Sequence, residues 1–452
     1  MMRKEAVMGP VWFVLIIVAA FVFIRAYGGH NRVRSSGEGP SRQAHELSGY
    51  KTLAEKLAVD PNQSVRRSLA SNPEAPSSVL DLLANDADES VRKAVAMNAS
   101  SPSALLERIA CDESTFVREG VASNPNTPGR ILLQLIEEDQ PYRVRKAVAT
   151  NRSASAQILE LLSADHPLEV AENPGTPGYL LEELAVSVGD SDSDPSYPSP
   201  RRLVAQNPNA PSSLLEELIS PHDGQVWYGI QTNPSTPSYI LELFFRISER
   251  LVQEAMALKD GDDPDAYGIE QYLRESREIR KYIGENPNTP PWVLEELSSS
   301  DDATIRAHVA RNANAPTTAL ERMAKDEDSD VRSAVASNTS TPSSIIVELA
   351  RDPEPGVRGP VAHNPNTPVD ILRELADDEV QMVRGSVAGN KNTPVESLER
   401  LSKDDDGTFT RENVAGNPST PASILIEMAD NSFFGIREGV ASNPNIRNIY
   451  LG

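Results

Sequence analysis

The sequence predicts an all-α solenoid, an array of about fourteen two-helix units on a 26-residue period. Three observations predict it: a phrase that recurs along the chain, a nearly constant spacing between its copies, and apolar residues at helical periodicity inside each copy. Residues 117–139 read VREGVASNPNTPGRILLQLIEED, and the phrase returns as VRKAVATNRSASAQILELL, VRSAVASNTSTPSSIIVELA and VRGPVAHNPNTPVDILRELADD. Alignment on the asparagine gives fourteen copies, from Asn72, Asn98 and Asn124 to Asn390, Asn417 and Asn443. Ten of the thirteen steps between them are 26 or 27 residues, and the exceptions are 22, 34 and 53. Proline and glycine fall at fixed phase, so they punctuate structure where scattered ones would suggest disorder.

Each position in the unit has a mechanical role. Ile371, Leu372, Leu375 and Ala376 follow i, i+3, i+4 spacing and form one apolar helix face. Threonine before proline, as in Thr127-Pro128, Thr289-Pro290 and Thr367-Pro368, predicts an N-cap followed by proline at the first helical position. Glu396, three residues after Thr393, would complete a capping box. The segment from the following Asp to the Asn predicts a second, shorter helix carrying Val117 and Val121, with the Asn in a left-handed C-terminal conformation. An arginine stands six residues before the Asn in twelve copies, Arg66, Arg92 and Arg332 among them. At one phase beside a recurrent aspartate, that ladder is expected to pair internally, because one guanidinium satisfies several acceptors. Ala96, Ala122 and Ala336, two before the Asn, let successive layers approach closely.

The whole phrase, VRxxVAxNPNTPxxxLxxLAxD, resembles the leucine-rich repeat variant family over roughly residues 51–451. That resemblance implies paired short helices, commonly α with 3₁₀, in a right-handed superhelix of the HEAT or armadillo kind. It also implies a generic binding role and no catalytic residues. Some members of the family carry a cysteine-rich iron–sulfur segment, but Cys111 is the only cysteine here, so that feature does not transfer. Stacked at about 10 Å per layer, the array is expected to be long in one dimension, with recognition by variable positions such as Met97, Arg311 and His363 just before each Asn.

Exceptions in such an array are where function can sit. His166-Pro167 replaces Val-Arg in the short Asn173 copy, and an acidic Ser- and Pro-rich stretch, 186–200, reads as a solvated loop. Between Asn233 and Asn286 the helix runs on through FFRISERLVQEAMALK, turns at DGDDPDA and returns, which predicts a long helical hairpin at about 244–278. Nine aromatic residues cluster around it, as many as in all the rest of residues 29–452, so it is the candidate partner surface. The candidate contact residues are Trp227, Tyr228, Phe244, Phe245, Tyr267 and Tyr272; packing at the interruption of the array is the competing explanation.

The chain carries 66 acidic and 43 basic side chains, a formal net charge of −23. That field repels nucleic-acid phosphates and steers in protein partners with basic segments. The six histidines show no metal-ligand spacing. No glycine-rich phosphate loop or nucleophile elbow appears. Residues 6–24 are uncharged, about 19 residues that nearly span a bilayer core of about 30 Å. They predict a single-pass anchor within residues 1–28, followed by a linker 29–50 and the array in two parts, 51–185 and 201–451. Basic residues after the span lean the body toward the cytoplasm. The expectation is therefore a membrane-anchored, non-catalytic repeat scaffold without a cofactor that binds a protein or peptide. The alternative, a HEAT-like enzyme or cofactor-handling protein, would need a polar groove cluster that sequence does not reveal.

Overall fold

A computed structural model of the chain describes residues 51–137, 140–187, 199–219, 223–259, 266–404 and 407–451. Among these, 28 α-helices and one 3₁₀ turn, Ile446–Asn448, account for the architecture, and no strand is formed. Two helices alternate: a seven-residue helix such as Ser77–Leu83 or Ser343–Leu349, then a nine-residue helix such as Glu89–Met97 or Pro355–His363. Both types are α, and the one ending at the Asn is the longer, the reverse of the sequence expectation.

Successive nine-residue helices pack directly side by side, whereas successive seven-residue helices barely touch. The array therefore curves with the nine-residue helices inside and the shorter ones outside. Small residues permit that closeness. A Cβ on Gly229 would stand 2.5 Å from the Arg202 carbonyl oxygen, so only glycine fits there. Pro360 sits within an inner helix without leaving an orphan, because Ser333 of the preceding layer donates to the Gly356 carbonyl at 2.9 Å, the acceptor a proline cannot reach.

The recurrent asparagine is buried and fully bonded. Asn338 Nδ2 donates to the Ala310 carbonyl at 2.7 Å and the Asn312 carbonyl at 2.9 Å, both in the preceding layer, while its Oδ1 accepts from the Ser340 amide at 2.7 Å. Its backbone is extended, φ −71° and ψ 121°, not left-handed, since a following proline or turn disfavours any helical continuation. Threonine, too, differs from expectation. Thr127 Oγ1 donates back to the Val121 carbonyl at 2.6 Å, and Pro128 itself is the residue that precedes the helix, with no side-chain cap. Thr393 likewise bonds the Val387 carbonyl, so Thr393 and Glu396 make no capping box. The box instead forms at Thr52 and Glu55.

The arginine ladder pairs between layers. Arg332 donates Nε and Nη2 to the two carboxylate oxygens of Asp352, at 2.7 and 3.0 Å, and Nη1 to the Asp326 carbonyl at 2.8 Å. Asp352 meanwhile accepts the Glu354 amide at 2.9 Å. Each such Arg–Asp pair bridges two layers while pinning the turn between their helices.

The same bonds recur between the last layer and the first. Asn72 Nδ2 donates to the Ala441 and Asn443 carbonyls, both at 2.9 Å, and Arg437 donates to both Asp60 oxygens at 2.8 and 3.2 Å. Lys56 pairs with Asp430 as Arg400 pairs with Asp377 within the array. The Leu53 amide donates to the Ile449 carbonyl at 3.0 Å, and the Leu451 amide to the Lys51 carbonyl at 3.2 Å. Helix Leu53–Leu57 thus supplies the outer helix that the inner helix Phe434–Ser442 lacks, and the repeat body closes into a ring. The open, right-handed superhelix is corrected accordingly: the last of the fourteen inner helices packs on the first and bonds it as neighbouring layers do, so the array closes on itself.

The expected single-pass membrane localisation, with the body in the cytoplasm, is also corrected. Among the described residues no helix is long and apolar enough to cross a membrane. Residues 1–28, including the stretch 6–24 on which that expectation rested, lie outside the described residues.

Candidate functional site

One layer departs from the ring's regularity. Its outer helix, Ser238–Lys259, runs for 22 residues, and its inner helix, Ala266–Glu285, for 20. No aspartate, proline or glycine interrupts the first after its apolar pair. Phe244, Phe245, Ser248, Leu251 and Ala255 then continue one buried face toward the second helix. Ser248 fastens the pair: its carbonyl accepts from Ser276 Oγ at 3.0 Å, and its hydroxyl accepts from Arg280 Nε at 3.1 Å. Arg280 is the ladder arginine of this layer, and burial lowers its pKa against the pull of Glu249 and Glu296.

Where the hairpin diverges from the preceding inner helix, Gly224–Thr232, a cavity of about 950 Å³ opens. Asp223 fixes the start of that helix by accepting the Gln225 and Val226 amides at 3.1 and 3.0 Å. The helix contributes Trp227, Tyr228 and Gln231; the hairpin contributes Ile247, Leu251 and Glu254 from one arm and Tyr272, Glu278 and Tyr282 from the other. Tyr228 and Tyr282 meet edge to face at 4.7 Å, and the Arg202 guanidinium stands 4.3 Å from the Tyr228 ring centre. Burial pushes both phenols up: Tyr228 against the Arg202 charge, Tyr282 with the Glu278 charge adding to it. Both therefore stay neutral hydroxyls near pH 7.

The carboxylates on the wall are already engaged. Glu278 accepts from Lys281 at 3.0 Å, Glu275 from Gln271 at 3.0 Å, and Glu254 lies 3.6 Å from Arg250. Two buried donors are not: Trp227 Nε1 and Gln231 Nε2 have no hydrogen-bond acceptor. Gln231 is 2% exposed. A cavity of this size with aromatic walls suits binding. Among the described residues no group of three or more His, Cys, Asp or Glu is placed to hold a metal ion.

The six aromatic residues singled out in the sequence are dispersed. Trp227, Tyr228 and Tyr272 border the cavity. Phe244 and Phe245 are core residues, 0% and 4% exposed, packed edge to face on Trp227 at 5.4 Å and on Trp292 at 5.5 Å. Tyr267 lies near the tip of the hairpin and is 76% exposed. Sequence reasoning missed Tyr282 and Gln231. The signal for Gln231 was present: every other layer has Ala or Gly two residues before its Asn, as in Ala205 and Gly284.

No family model matches the chain, and no curated protein matches it. Among solved structures, the chain is similar to a leucine-rich repeat variant described as having a novel repetitive structural motif. That match is 20% identical with a TM-score of 0.25, covering 68% of this chain and 88% of that one. It is also similar to a structure of the Pds5–Scc1 complex, at 14% identity and a TM-score of 0.26, covering 91% of this chain and 69% of that one.

Proposed function

We propose that the closed repeat body is a non-catalytic scaffold that binds a protein or peptide partner at the root of the long hairpin. The observation that carries this reading is the cavity at the root of the hairpin, which interrupts the repeat and is walled by Trp227, Tyr228, Tyr272 and Tyr282. Aromatic groups of this kind anchor protein contacts at small entropic cost. A net charge of −23 favours partners with basic segments by steering them to the ring. The ring supplies rigidity, since every layer is held by a neighbour on each side.

The test is site-specific photo-crosslinking in cells. A benzoylphenylalanine placed at Tyr267 should capture a discrete protein that the same probe at Leu161, exposed on an outer helix, does not. Capture that is equal at both positions, or none at the hairpin, would remove the reading.

A further inference from the structure

We infer that the ring opens at one seam, between helices Tyr142–Ala149 and Pro167–Glu172, when mild acid charges the imidazole of His166. The layer of Asn173 is then a pH-gated clasp in an otherwise locked ring.

The seam is where the bonds between layers run out. In the regular layers a ladder arginine holds an aspartate of the next layer with two N–H groups, as Arg92 holds Asp112 at 2.9 and 3.1 Å. Across the seam Arg145 makes one longer contact, 3.5 Å to Asp165, whose side chain is 60% exposed, and Arg145 Nε has no acceptor. The next ladder position is Pro167, which carries no side-chain donor. Its helix has six residues, against nine in a regular layer. Two contacts still join the helices. Lys146 pairs with Glu169 at 2.8 Å, and at the far end Asn173 Nδ2 donates to the Ala149 and Asn151 carbonyls at 2.6 and 2.9 Å. Opening therefore hinges on Asn173 and gapes at the ladder edge.

His166 stands at that edge in a place built for an apolar side chain. It lies seven residues before its Asn, where other layers carry Val65, Val91, Val117, Val144 and Val331, all fully buried. The imidazole is fully buried as well, 4.7 Å from the Tyr142 ring, and neither nitrogen is hydrogen-bonded. The charges around it supply no partner. Glu169 is 3.9 Å from Nδ1, beyond hydrogen-bond reach, and is held by Lys146. Arg145 and Lys146 of the facing helix add positive charge, and Asp165 is exposed. Helix Ala156–Leu162 commits Glu160 to Tyr179, and Glu182 and Glu183 of helix Gly178–Ser187 are exposed. Helix Pro200–Gln206 brings Arg201 and Arg202, the second turned onto Tyr228. Burial accordingly holds the imidazole below its ordinary value, against the pull of Glu169. A proton taken up there places a charge in an apolar core, and opening the seam is the shortest way to hydrate it. The neutral form is favoured in the fold, so the seam is closed above the unfolded value of about 6.5 and opens as pH falls below it. The arginine-paired aspartates of the regular layers hold through this range, because their carboxyls titrate below the usual one.

Double electron–electron resonance between two nitroxide labels on the full chain reads the gap. Cys111 and Ala164→Cys are exposed positions, each one residue before the aspartate that a ladder arginine meets, two layers apart across the seam. Two layers correspond to about 20 Å. In a Cys111→Ser background, Lys325→Cys and Asp377→Cys make the matching pair across regular layers. Both pairs should give a single distance at pH 7.5. At pH 5 the seam pair should gain a population longer by about 5 Å, half a layer spacing, and lose it again at pH 7.5, while the control pair keeps its distance. His166→Val, which restores the residue of the regular layers, should hold the seam pair at its neutral distance at pH 5. A seam distance unchanged at pH 5, equal lengthening in the two pairs, or lengthening that persists in His166→Val overturns the inference.

Discussion

Replacing Arg437 with alanine tests ring closure against a matched control within the array, Arg332→Ala. Both arginines make the same three contacts. Arg437 bonds the Asp60 oxygens at 2.8 and 3.2 Å and the Asn431 carbonyl at 2.8 Å; Arg332 bonds the Asp352 oxygens at 2.7 and 3.0 Å and the Asp326 carbonyl at 2.8 Å. The carboxylates are almost equally buried, with side chains 8% and 6% exposed. Removing either arginine strands a carboxylate that has lost its countercharge. Breaking a buried pair from one side costs about 3–5 kcal/mol. Both aspartates keep a backbone N–H donor, from Asn62 and Glu354 respectively, so the lower end of that range, about 3 kcal/mol, applies to each. In an open array Arg437 and Asp60 would sit at opposite ends of the chain, both in water. The Arg437 substitution would then cost less than about 1 kcal/mol, as surface substitutions do. Urea unfolding followed by far-ultraviolet circular dichroism, on the two variants under identical conditions, separates the cases. Equal destabilisation supports the ring. An Arg437 variant within about 0.5 kcal/mol of the parent, beside a strongly weakened Arg332 variant, would refute closure.

Other outcomes follow from the same geometry. Asn338→Ala orphans the Ala310 carbonyl and frees the Ser340 amide, while the Asn312 carbonyl keeps the Ala315 amide, and should cost about 2–4 kcal/mol by thermal or urea unfolding. For Asp86, Asp112, Asp326, Asp352 and Asp378, burial opposes the charge, but the arginine hydrogen bonds and backbone donors outweigh it and hold the carboxyls below their usual range. Their stabilisation is therefore fully present above the unfolded value of about 3.9 and lost as pH falls through the lower folded ones; circular dichroism against pH should show a steep acid transition there. His166 is fully buried with neither ring nitrogen bonded, and burial, against the pull of Glu169, lowers its pKa. Its neutral form is favoured in the fold, so its contribution fades as pH drops below about 6.5. His166→Leu should leave stability at pH 7.5 equal or higher and flatten its decline between about pH 7 and 5.

Helix identity and layer count were legible because they depend on local pattern: Ile371, Leu372 and Leu375 announce a face wherever they occur. Bond partners were less legible. Thr127 and Pro128 satisfy an N-cap motif, yet the hydroxyl reaches back to Val121, because the buried carbonyl at the end of the preceding helix competes for it. Asn124 satisfies a left-handed cap motif, yet its amide serves the layer before it, an interaction 26 and 28 residues distant. At the candidate site, aromatic clustering located the hairpin but could not sort core from wall. Phe244 and Tyr272 look alike in sequence, and only the packing of the two arms decides which is buried. Gln231 was legible as an exception, but only the packing of the hairpin against its helix brings it to the edge of the cavity.

Closure itself is a sum, and sums over layers are invisible to motifs. Each inner helix packs on its neighbour, and only the total over all layers decides between a spiral and a ring. Repeat arrays ordinarily need polar terminal caps, since an end layer exposes the apolar face that every interior layer buries. Among the described residues the first helix, LAEKL, keeps Leu53, Ala54 and Leu57 fully buried, and the last inner helix keeps Ile436 and Val440 fully buried. Neither end substitutes polar residues for the repeat's apolar ones. An uncapped end at both termini is the one local trace that closure leaves in a sequence, because each end serves as the other's cap. The hairpin is then permitted by the same geometry. Its extra residues lengthen one layer along its helices while Asn286 keeps its bond to the Asn233 carbonyl, so an insertion of about one further repeat length, from 26 to 53 residues between Asn233 and Asn286, leaves the ring closed.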